Sequence, residues 1–395
     1  MSLGSVAGAL AGKVALVTGA SGFIGGRLAE RLVLEHGVEV RAMVRTLSAA
    51  GRLVRFPVTV VHGDVTDPEA LAAACRGADL VFHCAYGTQG SQKHRAWVNR
   101  EGTRRLLAAA GRAGARRIVY LSTLMVYGRT ADGDLDETAP RRRFGNAYAD
   151  SKLAAERIAL GSGLPVTVLQ PTAVYGPYGP VWTANVLAAL KTGRQILVNG
   201  GDGLGNAVYV DDLVSAMILA AVKEEAVGQA FLVSGAEPVT WKELFGRFAR
   251  MLGDEVRTVE MSEAEARADY RRWQRRQPRA LGEALRLLKG DQEVRERILA
   301  TRELVWLREM ASTLLPERLQ ERIKDRLLRG GGSPAAPKAE QLPVHPLTPE
   351  MIDFFRAKTR VRIDKARRLL GYEPAWGFAE GMDLTEQWAR WANLL

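Results

Sequence analysis

The sequence predicts an α/β fold, with a doubly wound parallel sheet followed by a smaller domain that carries a helical insertion. Two observations predict this class. Short apolar runs alternate with segments of helical periodicity through the first half of the chain, as in β-α-β units joined by right-handed crossovers. A glycine-rich loop separates the first apolar run from the first helical segment, and folds of this class bind phosphate groups at such a loop.

The alternation can be followed along the chain. Strands are expected in KVALVTG, VEVRAMV, VTVVHGDV, ADLVFHCA, RRIVYLST and PVTVLQP. Helices are expected from about Gly25 to His36, from Pro68, from about Arg95 to Ala113, and from near Tyr148. From VYGPYGP onward, glycine and proline separate shorter elements, which indicates a smaller domain with loops over the carboxyl edge of the sheet. We expect ligands to bind at that junction.

The loop VTGASGFIG places Gly19, Gly22 and Gly25 three residues apart, between a predicted strand and a predicted helix. This spacing lets the backbone turn tightly and approach a pyrophosphate, while the helix N-terminus presents N–H groups to the negative charge. The alternative, glycines that serve only a tight turn, leaves the surrounding β-α-β pattern unexplained. The loop therefore predicts a dinucleotide site.

The residues after the second and third strands indicate which dinucleotide binds. An acidic residue after the second strand would hold the ribose 2′-hydroxyl of NAD, whereas an arginine accommodates the 2′-phosphate of NADP. The second strand ends in Val44 and Arg45, so NADP is favoured over NAD; a solvated loop cation is the alternative. Asp64 is placed to accept from the adenine amino group or to form a turn. Asp67 is expected to cap the helix that begins at Pro68.

We expect this organisation to form two domains. Residues 11–174 and 207–236 would form the dinucleotide-binding domain, and residues 175–206 and 237–395 the substrate domain. Within the second domain, residues from about 254 to 345 become rich in Arg and Glu and end in the linker GGGSPAAPKAEQLPVHP. This change in composition predicts a helical insertion.

The insertion is cationic in places. RRWQRRQPR, at residues 271–279, carries five arginines, and Leu319, Ile323 and Leu327 form an i, i+4 stripe beside further arginines. An amphipathic helix of this kind can make peripheral contact with an anionic membrane. A helical lid or an oligomer contact is the alternative interpretation.

The totals limit the class of protein. With 395 residues, 47% of them hydrophobic and 25% charged, the chain can bury a large core. The net charge of +11 suits an anionic partner, but no recognition motif accompanies it, so nucleic acid is not expected.

Cys75 and Cys84 have no CxxC spacing and no nearby histidine cluster, which predicts neither a disulfide nor a metal site. The N-terminal MSLGSVAGALAGK lacks a basic signal region, and no apolar run approaches the ~18 residues of a membrane span. A cytoplasmic protein is therefore expected.

NAYADSK, at residues 146–152, places Tyr148 and Lys152 four residues apart at the start of a predicted helix. Residues i and i+4 share one helix face about 6 Å apart, so the ammonium would favour the phenolate form of the tyrosine. This spacing also occurs by chance, and its meaning depends on the rest of the chain.

Taken together, these motifs resemble those of the extended short-chain dehydrogenase/reductases, which include the NAD-dependent sugar epimerases and dehydratases. The resemblance covers about residues 12–252 and 358–391. Besides TGxxGxxG and YxxxK, it rests on HCAY, VNREGTRRLL, LSTLMVYG, QPTAVYGP, YVDDLVSA and DKARRLLGYEP. It implies a Rossmann-like sheet, a C-terminal substrate domain, an NAD(P)-dependent enzyme and a homodimer.

The resemblance also assigns roles to residues. The family's catalytic Ser/Thr matches Thr123, Tyr148 and Lys152 complete the triad, and Asn99 matches a structural asparagine. Tyr148 would exchange a proton with the substrate hydroxyl as hydride leaves the same carbon, and Thr123 would hold the substrate oxygen. The implied cofactor contacts, besides the glycines, Arg45 and Asp64, are Phe23, Ile24, Val65, Ala85, Tyr86, Asn99, Tyr148, Lys152, Pro171 and Val174.

The position after the catalytic Thr limits the reaction. The family's dehydratases and decarboxylases carry acidic residues there, whereas this chain has Leu124 and Met125. Neither side chain can move a proton, so 4,6-dehydration and decarboxylation are not expected. Epimerisation through a transient ketone and simple ketone reduction stay open.

The resemblance implies a small-molecule substrate, a sugar or sugar conjugate. However, the family's diphosphate-clamping positions fall on Ala173 and about Gly205, and the usual Arg before them is Gln170. The three arginines at 141–143 could form a substitute clamp or a solvated loop. The alternatives are a reductase of a hydrophobic alcohol or ketone, like the family's steroid and flavonoid members, and a catalytically silent dinucleotide-sensing protein.

Overall fold

The computed structural model describes residues 8–128, 131–193, 195–253, 258–276 and 346–395. The chain divides into two compact units, Met1–Ala266 with Thr348–Leu395, and Arg267–Leu347. Most of the expected insertion lies outside the described residues, including the stripe at Leu319, Ile323 and Leu327 and the linker. The domain boundaries expected from the sequence stay a prediction.

Seven parallel strands form the central sheet, in the order β3-β2-β1-β4-β5-β7-β11. They are β1 (Val14–Thr18), β2 (Glu39–Val44), β3 (Thr59–His62), β4 (Leu80–His83), β5 (Arg117–Leu121), β7 (Val166–Pro171) and β11 (Ala230–Val233). The chain runs from β1 to β3, then returns to β4 on the other side of β1. The strand order therefore reverses between β1 and β4, where doubly wound sheets bind ligands at the carboxyl ends of their strands.

Helices connect these strands and confirm the expected alternation. They are α1 (Phe23–Leu34), α2 (Pro68–Cys75), α3 (Gln92–Arg112), α4 (Ala147–Leu160), α5 (Asn185–Lys191) and α6 (Val210–Val222). Asp67 caps α2 as expected, because its side chain accepts from the backbone N–H groups of Glu69 and Ala70.

The central strands are buried along their whole length. Every residue of β4, β5 and β7 is buried, which explains why these segments read as nearly continuous apolar runs. Leu16, Val81, Ile118 and Val168 of the sheet belong to one core cluster with Ala155 of α4. The helix that carries Tyr148 and Lys152 thus packs on the sheet through its alanines.

Three parallel pairs of short strands lie outside the central sheet. They are β6 (Gly133–Leu135) with β13 (Thr359–Val361), β8 (Ala173–Tyr175) with β10 (Ala207–Tyr209), and β9 (Ile196–Val198) with β12 (Val259–Met261). The Asn206 side chain bonds β13 at both ends, donating to the Thr359 carbonyl oxygen at 2.8 Å and accepting from the Val361 N–H at 3.1 Å. The C-terminal segment is therefore built into the same unit as the sheet.

Five further helices complete the described chain: α7 (Trp241–Leu252), α8 (Glu263–Arg276), α9 (Pro349–Arg356), α10 (Asp364–Leu370) and α11 (Phe378–Trp391). Trp241 contacts Trp182, Phe245, Phe354 and Phe355, with ring centroids 4.9–5.5 Å from its own. Helix α9 is thereby fixed through aromatic contacts. None of the helices in the described part of the chain has the length and apolar character of a membrane span. The predicted fold class is confirmed.

Candidate active site

The loop between β1 and α1 requires its glycines. Gly19 has φ +70, and a Cβ there would lie 2.8 Å from the backbone nitrogen of Ala85. A Cβ on Gly25 would lie 2.4 Å from the carbonyl oxygen of Gly19, well inside van der Waals contact. The loop can therefore fold so tightly only without side chains at these positions.

The N-terminus of α1 opens from this loop. Gly22 is the N-cap residue and makes no side-chain cap, and the first turn, which contains Phe23 and Ile24, carries no acidic residue. The first N–H groups of a helix lack intrahelical partners and attract anions. The glycine cradle and the open helix terminus together fit the pyrophosphate of a dinucleotide.

Two predicted cofactor residues lie at the carboxyl ends of β2 and β3. Arg45 is exposed and donates to the Thr88 hydroxyl at 3.3 Å, which places the guanidinium beside the segment that follows β4. Asp64 accepts from the Thr66 N–H and hydroxyl at 2.8 and 2.6 Å through Oδ1. The turn role of Asp64 is thus real, and Oδ2 takes part in neither bond.

The segment after β4 continues along the same edge. Ala85 donates its N–H to the Thr18 hydroxyl at 3.4 Å, which ties this segment to β1. Val65 is buried and lies against Gly102 of α3, where a Cβ would approach its side chain to 2.9 Å. Tyr86 is exposed and meets Tyr148 edge to face, with ring centroids 6.1 Å apart. These contacts bring the predicted dinucleotide edge to the predicted catalytic tyrosine.

Asn99 links three elements through its side chain. Its Oδ1 accepts from the Gly87 N–H at 2.7 Å, and its Nδ2 donates to the Ser151 hydroxyl at 2.8 Å. Ser151 in turn donates to the Tyr148 carbonyl oxygen at 2.7 Å. The backbone of Tyr148 is thereby held against the loop after β4, in line with the structural role expected for Asn99.

Helix α4 presents Tyr148 and Lys152 on one face. Asn146 caps it by accepting from the Ala149 N–H at 3.0 Å. Tyr148 is 41% exposed, whereas Lys152 is 4% exposed. The Lys152 ammonium donates to the Leu121 carbonyl oxygen and lies 4.4 Å from the Tyr120 ring centroid. The tyrosine ring is therefore partly exposed, whereas the ammonium is buried at the end of β5.

Burial shifts both groups toward their neutral forms. Desolvation raises the pKa of Tyr148 to about 12; neighbouring Tyr86 adds to this, and a hydrogen bond with Thr123 opposes it. Because the ring is 41% exposed, the desolvation concerns the surroundings of the hydroxyl. Desolvation also lowers the pKa of Lys152 to about 8, opposed by Cys84 and Glu156. Thr123 is thus close enough to Tyr148 to affect its pKa, and a buried ammonium lies on the same helix as Tyr148.

The remaining predicted cofactor positions lie after β5 and β7. Pro171 ends β7, and Val174 lies in β8, paired in register with Val208 of β10. Both are buried. Their position at the carboxyl edge, next to the end of β5, fits the nicotinamide end of a dinucleotide.

A cleft opens beside Thr123. Its cavity volume is about 30 Å³, about the space of one water molecule, and its wall is formed by Leu124, Met125, Gly128, Phe144, Glu350, Asp353 and Phe354. Most of its wall is apolar, and its charged groups are carboxylates. A ligand in this cleft would have the end that adjoins Thr123 within reach of the predicted triad.

The positions compared with a diphosphate clamp have other partners. Gln170 is buried and donates to Glu156 at 2.9 Å. Gly205 lies against the Trp241 ring, which a Cβ would approach to 3.2 Å. Arg141 pairs with Glu156 at 2.8 Å, and Arg143 lies 3.6 Å from Asp150. Two of the three loop arginines are therefore engaged within the protein.

Two residues near the site were missed in the sequence. His83, at the end of β4, is buried between the hydroxyls of Thr18 and Thr103, at 2.8 and 3.0 Å. Glu156 is fully buried one turn beyond Lys152. The spacing Lys152–Glu156, a further i, i+4 pair on α4, was the signal for Glu156; His83 gave none beyond its place at a strand end.

Comparisons with known proteins agree with this geometry. A model of the "NAD dependent epimerase/dehydratase family" matches residues 15–234. A 2-alkyl-3-oxoalkanoate reductase of Shewanella oneidensis is 33% identical over 60% of this chain and 66% of its own. A 3 beta-hydroxysteroid dehydrogenase/isomerase of Mycobacterium tuberculosis is 31% identical over 66% of this chain and 75% of its own. A farnesyl-dihydroquinoline-oxide ketoreductase of Stigmatella aurantiaca is 32% identical over 69% and 84%.

Solved structures share the fold at lower identity. An epimerase of Methanothermobacter thermautotrophicus superposes with a TM-score of 0.67 at 20% identity, covering 99% of this chain and 97% of its own. A UDP-glucose 4-epimerase of Thermotoga maritima gives 0.63 at 21%, covering 96% and 99%. At these identities the likeness establishes the architecture alone.

Proposed function

Because this chain belongs to the NAD-dependent epimerase/dehydratase family of extended short-chain dehydrogenase/reductases, we propose that it interconverts a ketone and a secondary alcohol on a predominantly apolar substrate, with Thr123, Tyr148 and Lys152 as its catalytic residues. The family and the enzyme class expected from the sequence are confirmed. The triad, the substrate and the choice between NAD and NADP belong to the proposal.

The site supports this chemistry residue by residue. A bound nicotinamide would supply or accept the hydride. In the reductive direction, Tyr148 donates its hydroxyl proton to the substrate carbonyl oxygen, and Thr123 holds that oxygen by a hydrogen bond. The raised pKa of Tyr148, about 12, keeps the phenol protonated near neutral pH, as a proton donor must be. The Lys152 ammonium favours the phenolate that results.

The apolar wall of the cleft carries the substrate proposal. Leu124, Met125, Phe144 and Phe354 offer contact area for a hydrocarbon body, and the charged groups that line the cleft are Glu350 and Asp353. Carboxylates repel the phosphates of a nucleoside-diphosphate sugar. The named relatives act on an alkyl-oxoalkanoate, a steroid and a farnesyl quinoline, all with apolar parts, which supports the same class.

A sugar or sugar conjugate, the substrate implied first by the resemblance, is the competing proposal. It would need a diphosphate clamp, and Gln170, Ala173 and Gly205 carry no charge for one. Arg45 supports NADP over NAD because it follows β2, where a 2′-phosphate would lie. The homodimer and the membrane contact through the insertion stay predictions.

The test compares purified protein with a Tyr148→Phe variant. NADPH oxidation is followed with a 2-alkyl-3-oxoalkanoate and a 3-oxosteroid. Epimerisation of UDP-glucose consumes no net cofactor and is followed by chromatographic detection of the 4-epimer. We expect turnover of an apolar ketone that falls at least ~100-fold in the variant, since one acid/base group contributes roughly that much or more. Cofactor Kd should change less than about twofold, because only the proton is lost.

Tyr372→Phe is the matched control. It removes a buried phenol that donates to the Ser234 carbonyl oxygen at 2.8 Å and is not part of the cleft wall, so turnover should persist. Full activity of Tyr148→Phe contradicts the catalytic assignment, and epimerisation of UDP-glucose without ketone reduction contradicts the substrate class.

A further inference from the structure

A fully buried carboxylate lies behind the predicted triad. Glu156 is 0% exposed and accepts three hydrogen bonds: from Ser122 at 2.5 Å, Arg141 at 2.8 Å and Gln170 at 2.9 Å. Ser122 follows β5 and directly precedes Thr123, and Gln170 lies in β7. One side chain thus joins the catalytic helix to two strands and to the segment that precedes Tyr148.

Arg141 supplies the positive charge that compensates the carboxylate of Glu156. A buried carboxylate is costly unless a cation and hydrogen bonds compensate it, and Gln170 brings a neutral amide. The guanidinium of Arg141 bonds Glu156 from a side chain that is 28% exposed, so it crosses from the surface to the core. The segment that carries it is an irregular connection, and this ion pair is one of its contacts with α4, together with the bond from Arg157 to the Arg141 carbonyl oxygen at 3.4 Å.

The anchored segment forms part of the cleft. Arg142 donates its N–H to the Val126 carbonyl oxygen at 3.1 Å, and the Phe144 and Gly145 N–H groups donate to Asp150 at 3.0 and 3.2 Å. Phe144 lines the cleft beside Leu124 and Met125. Arg141, through Glu156, and Asp150 therefore together hold the segment from which one wall of the cleft projects.

We propose that Arg141 is a positioning residue of the reaction: its ion pair with Glu156 fixes the cleft wall at Phe144 and balances a buried negative charge one helical turn from Lys152. The inference rests on the proposed function, because the charge near Lys152 matters for the reaction only if Tyr148 and Lys152 are catalytic. Arg141 touches neither the reacting atoms nor the cofactor edge, and it acts through Glu156 and Phe144.

The balance between the charges of Arg141 and Glu156 affects Lys152, because the other ionisable neighbours of Lys152 are uncharged. Burial lowers the pKa of His83 to about 3 and raises the pKa of Cys84 to about 12, so both are uncharged near neutral pH. Tyr120 is buried and its pKa is raised well above its ordinary value. Glu156 raises the pKa of Lys152. Without Arg141, the uncompensated Glu156 would favour the protonated forms of Lys152 and Tyr148.

The test is a spectroscopic titration of Tyr148. Because the pKa of Tyr148 is about 12, the phenolate absorbance is compared at fixed pH values between about 10 and 12, below the midpoint, for each protein and for the same protein with Tyr148→Phe; the difference reports Tyr148. We expect Arg141→Gln to lower the phenolate fraction at each pH roughly three- to tenfold, which corresponds to a shift of roughly 0.5 to 1 unit to higher pH, because a negative charge is left unbalanced. Arg141→Lys keeps the cation and should restore the native titration.

Three further variants complete the cycle. Glu156→Gln should move the titration to lower pH, and the double variant Arg141→Gln with Glu156→Gln should lie near the native protein, since both charges are gone. Arg142→Gln, which changes an exposed arginine of the same segment, should leave the titration unmoved. For any ketone that the protein reduces, KM should rise several-fold in Arg141→Gln and recover in Arg141→Lys.

The outcomes separate this inference from the proposed function. The titration reports the charge at Tyr148 whether or not Tyr148 is catalytic, and the activity of Tyr148→Phe tests catalysis alone. If Arg141→Gln lowers stability but its Tyr148 titration is unshifted, Arg141 is merely structural and the inference is overturned. Should Arg141→Gln fail to fold, an unshifted Glu156→Gln overturns it equally.

Discussion

Tyr148 and Lys152 lie on one face of α4 in different surroundings. Tyr148 is 41% exposed, whereas Lys152 is 4% exposed with a pKa lowered to about 8. Near neutral pH the ammonium is still mostly charged, and it loses its charge as pH rises through about 8. The positive charge that favours the Tyr148 phenolate therefore fades at alkaline pH, which weakens its support for the oxidative direction.

A residue-scale prediction concerns Arg45 and the choice of dinucleotide. Arg45→Ala should raise the Kd for NADP about tenfold, since a charge-assisted hydrogen bond is worth ~1.5 kcal/mol or more. The Kd for NAD should change less than about twofold, because NAD has no 2′-phosphate. Fluorescence titration with both reduced cofactors measures the two values.

Arg55→Ala is the control for Arg45, because Arg55 is half-exposed and pairs with Glu30 at 3.4 Å, outside the predicted cofactor contacts. Tighter binding of NAD than NADP by the unchanged protein would show that the NADP preference is wrong.

Spacing predicted the residues whose geometry is local. The need for glycine at position 25 comes from the tight loop before α1, and the shared face of Tyr148 and Lys152 comes from the helical repeat of α4. Both features depend on residues that are close in the sequence, so the spacing of the residues indicates them. The Arg141–Glu156 pair could not be predicted, because Glu156 is compensated only where β5, β7 and an irregular segment meet. That meeting depends on the strand order of the sheet.

At the scale of elements, α4 is fixed at its first turn by contacts to other parts of the chain. Asn146 caps it, and Ser151 connects it through Asn99 to the loop after β4. The segment after β4 and the start of α4 are therefore held together by hydrogen bonds. Proximity of this kind governs how well a proton donor meets its substrate.

The prediction for this scale uses two variants of Asn99. Asn99→Asp keeps an acceptor for the Gly87 N–H but loses the donor to Ser151, whereas Asn99→Ala loses both. We expect the free energy of unfolding to fall by about 1 to 3 kcal/mol for each buried group left unpaired. The total loss should be larger in Asn99→Ala, because two groups lose their partner there. Turnover should fall in both, with kcat affected more than cofactor Kd. Chemical denaturation and steady-state kinetics measure these effects.

Ser162→Ala serves as the comparison, since it removes a hydroxyl that donates to the Ala159 carbonyl oxygen at the far end of α4. A kcat loss in Ser162→Ala equal to that in Asn99→Ala would contradict the specific role of Asn99.

Six of the seven strands of the main sheet were predicted, because short apolar runs alternate with helical segments and the crossovers have a fixed hand. The seventh strand, β11, and the order of the strands were not predicted. The pairing of β6 with β13 could not be predicted, because strands of three residues are too short to show an alternating pattern. The paired residues Gly133 and Thr359 are also far apart in the sequence. The cleft wall at Phe354 was missed for the same reason.

For the whole molecule, burial of His83 links folding to pH. Its pKa in the folded protein is lowered to about 3, chiefly by desolvation and further by the charge of Lys152. The unfolded chain binds this proton near its ordinary pKa of about 6.5. The contribution of neutral, buried His83 to the free energy of unfolding is therefore fully present above about pH 6.5. It is lost as the pH falls from there toward 3, at about 1.4 kcal/mol per pH unit.

His83→Gln removes this titration while keeping an amide that can bond Thr18 or Thr103. Between pH 7 and pH 5, the native protein should lose roughly 2 kcal/mol more unfolding free energy than the variant, measured by urea denaturation. Asp212, whose pKa is raised to about 6 by desolvation, opposes the trend equally in both proteins. Parallel pH dependence in the two proteins would refute the assignment.

The pairing of β6 with β13 also orders events during synthesis. Asp132, beside β6, accepts from the Lys358 N–H across 226 residues of chain. At about 5 to 20 residues per second, a ribosome needs roughly 10 to 45 s to supply that partner. The glycine loop and the triad leave the exit tunnel long before α9 does. Trp241 follows within that interval, and Phe354 lies 113 residues after it. For roughly 6 to 23 s the Trp241 ring therefore lacks the contacts with Phe354 and Phe355, and this apolar surface of the nascent chain is open to aggregation or to a chaperone.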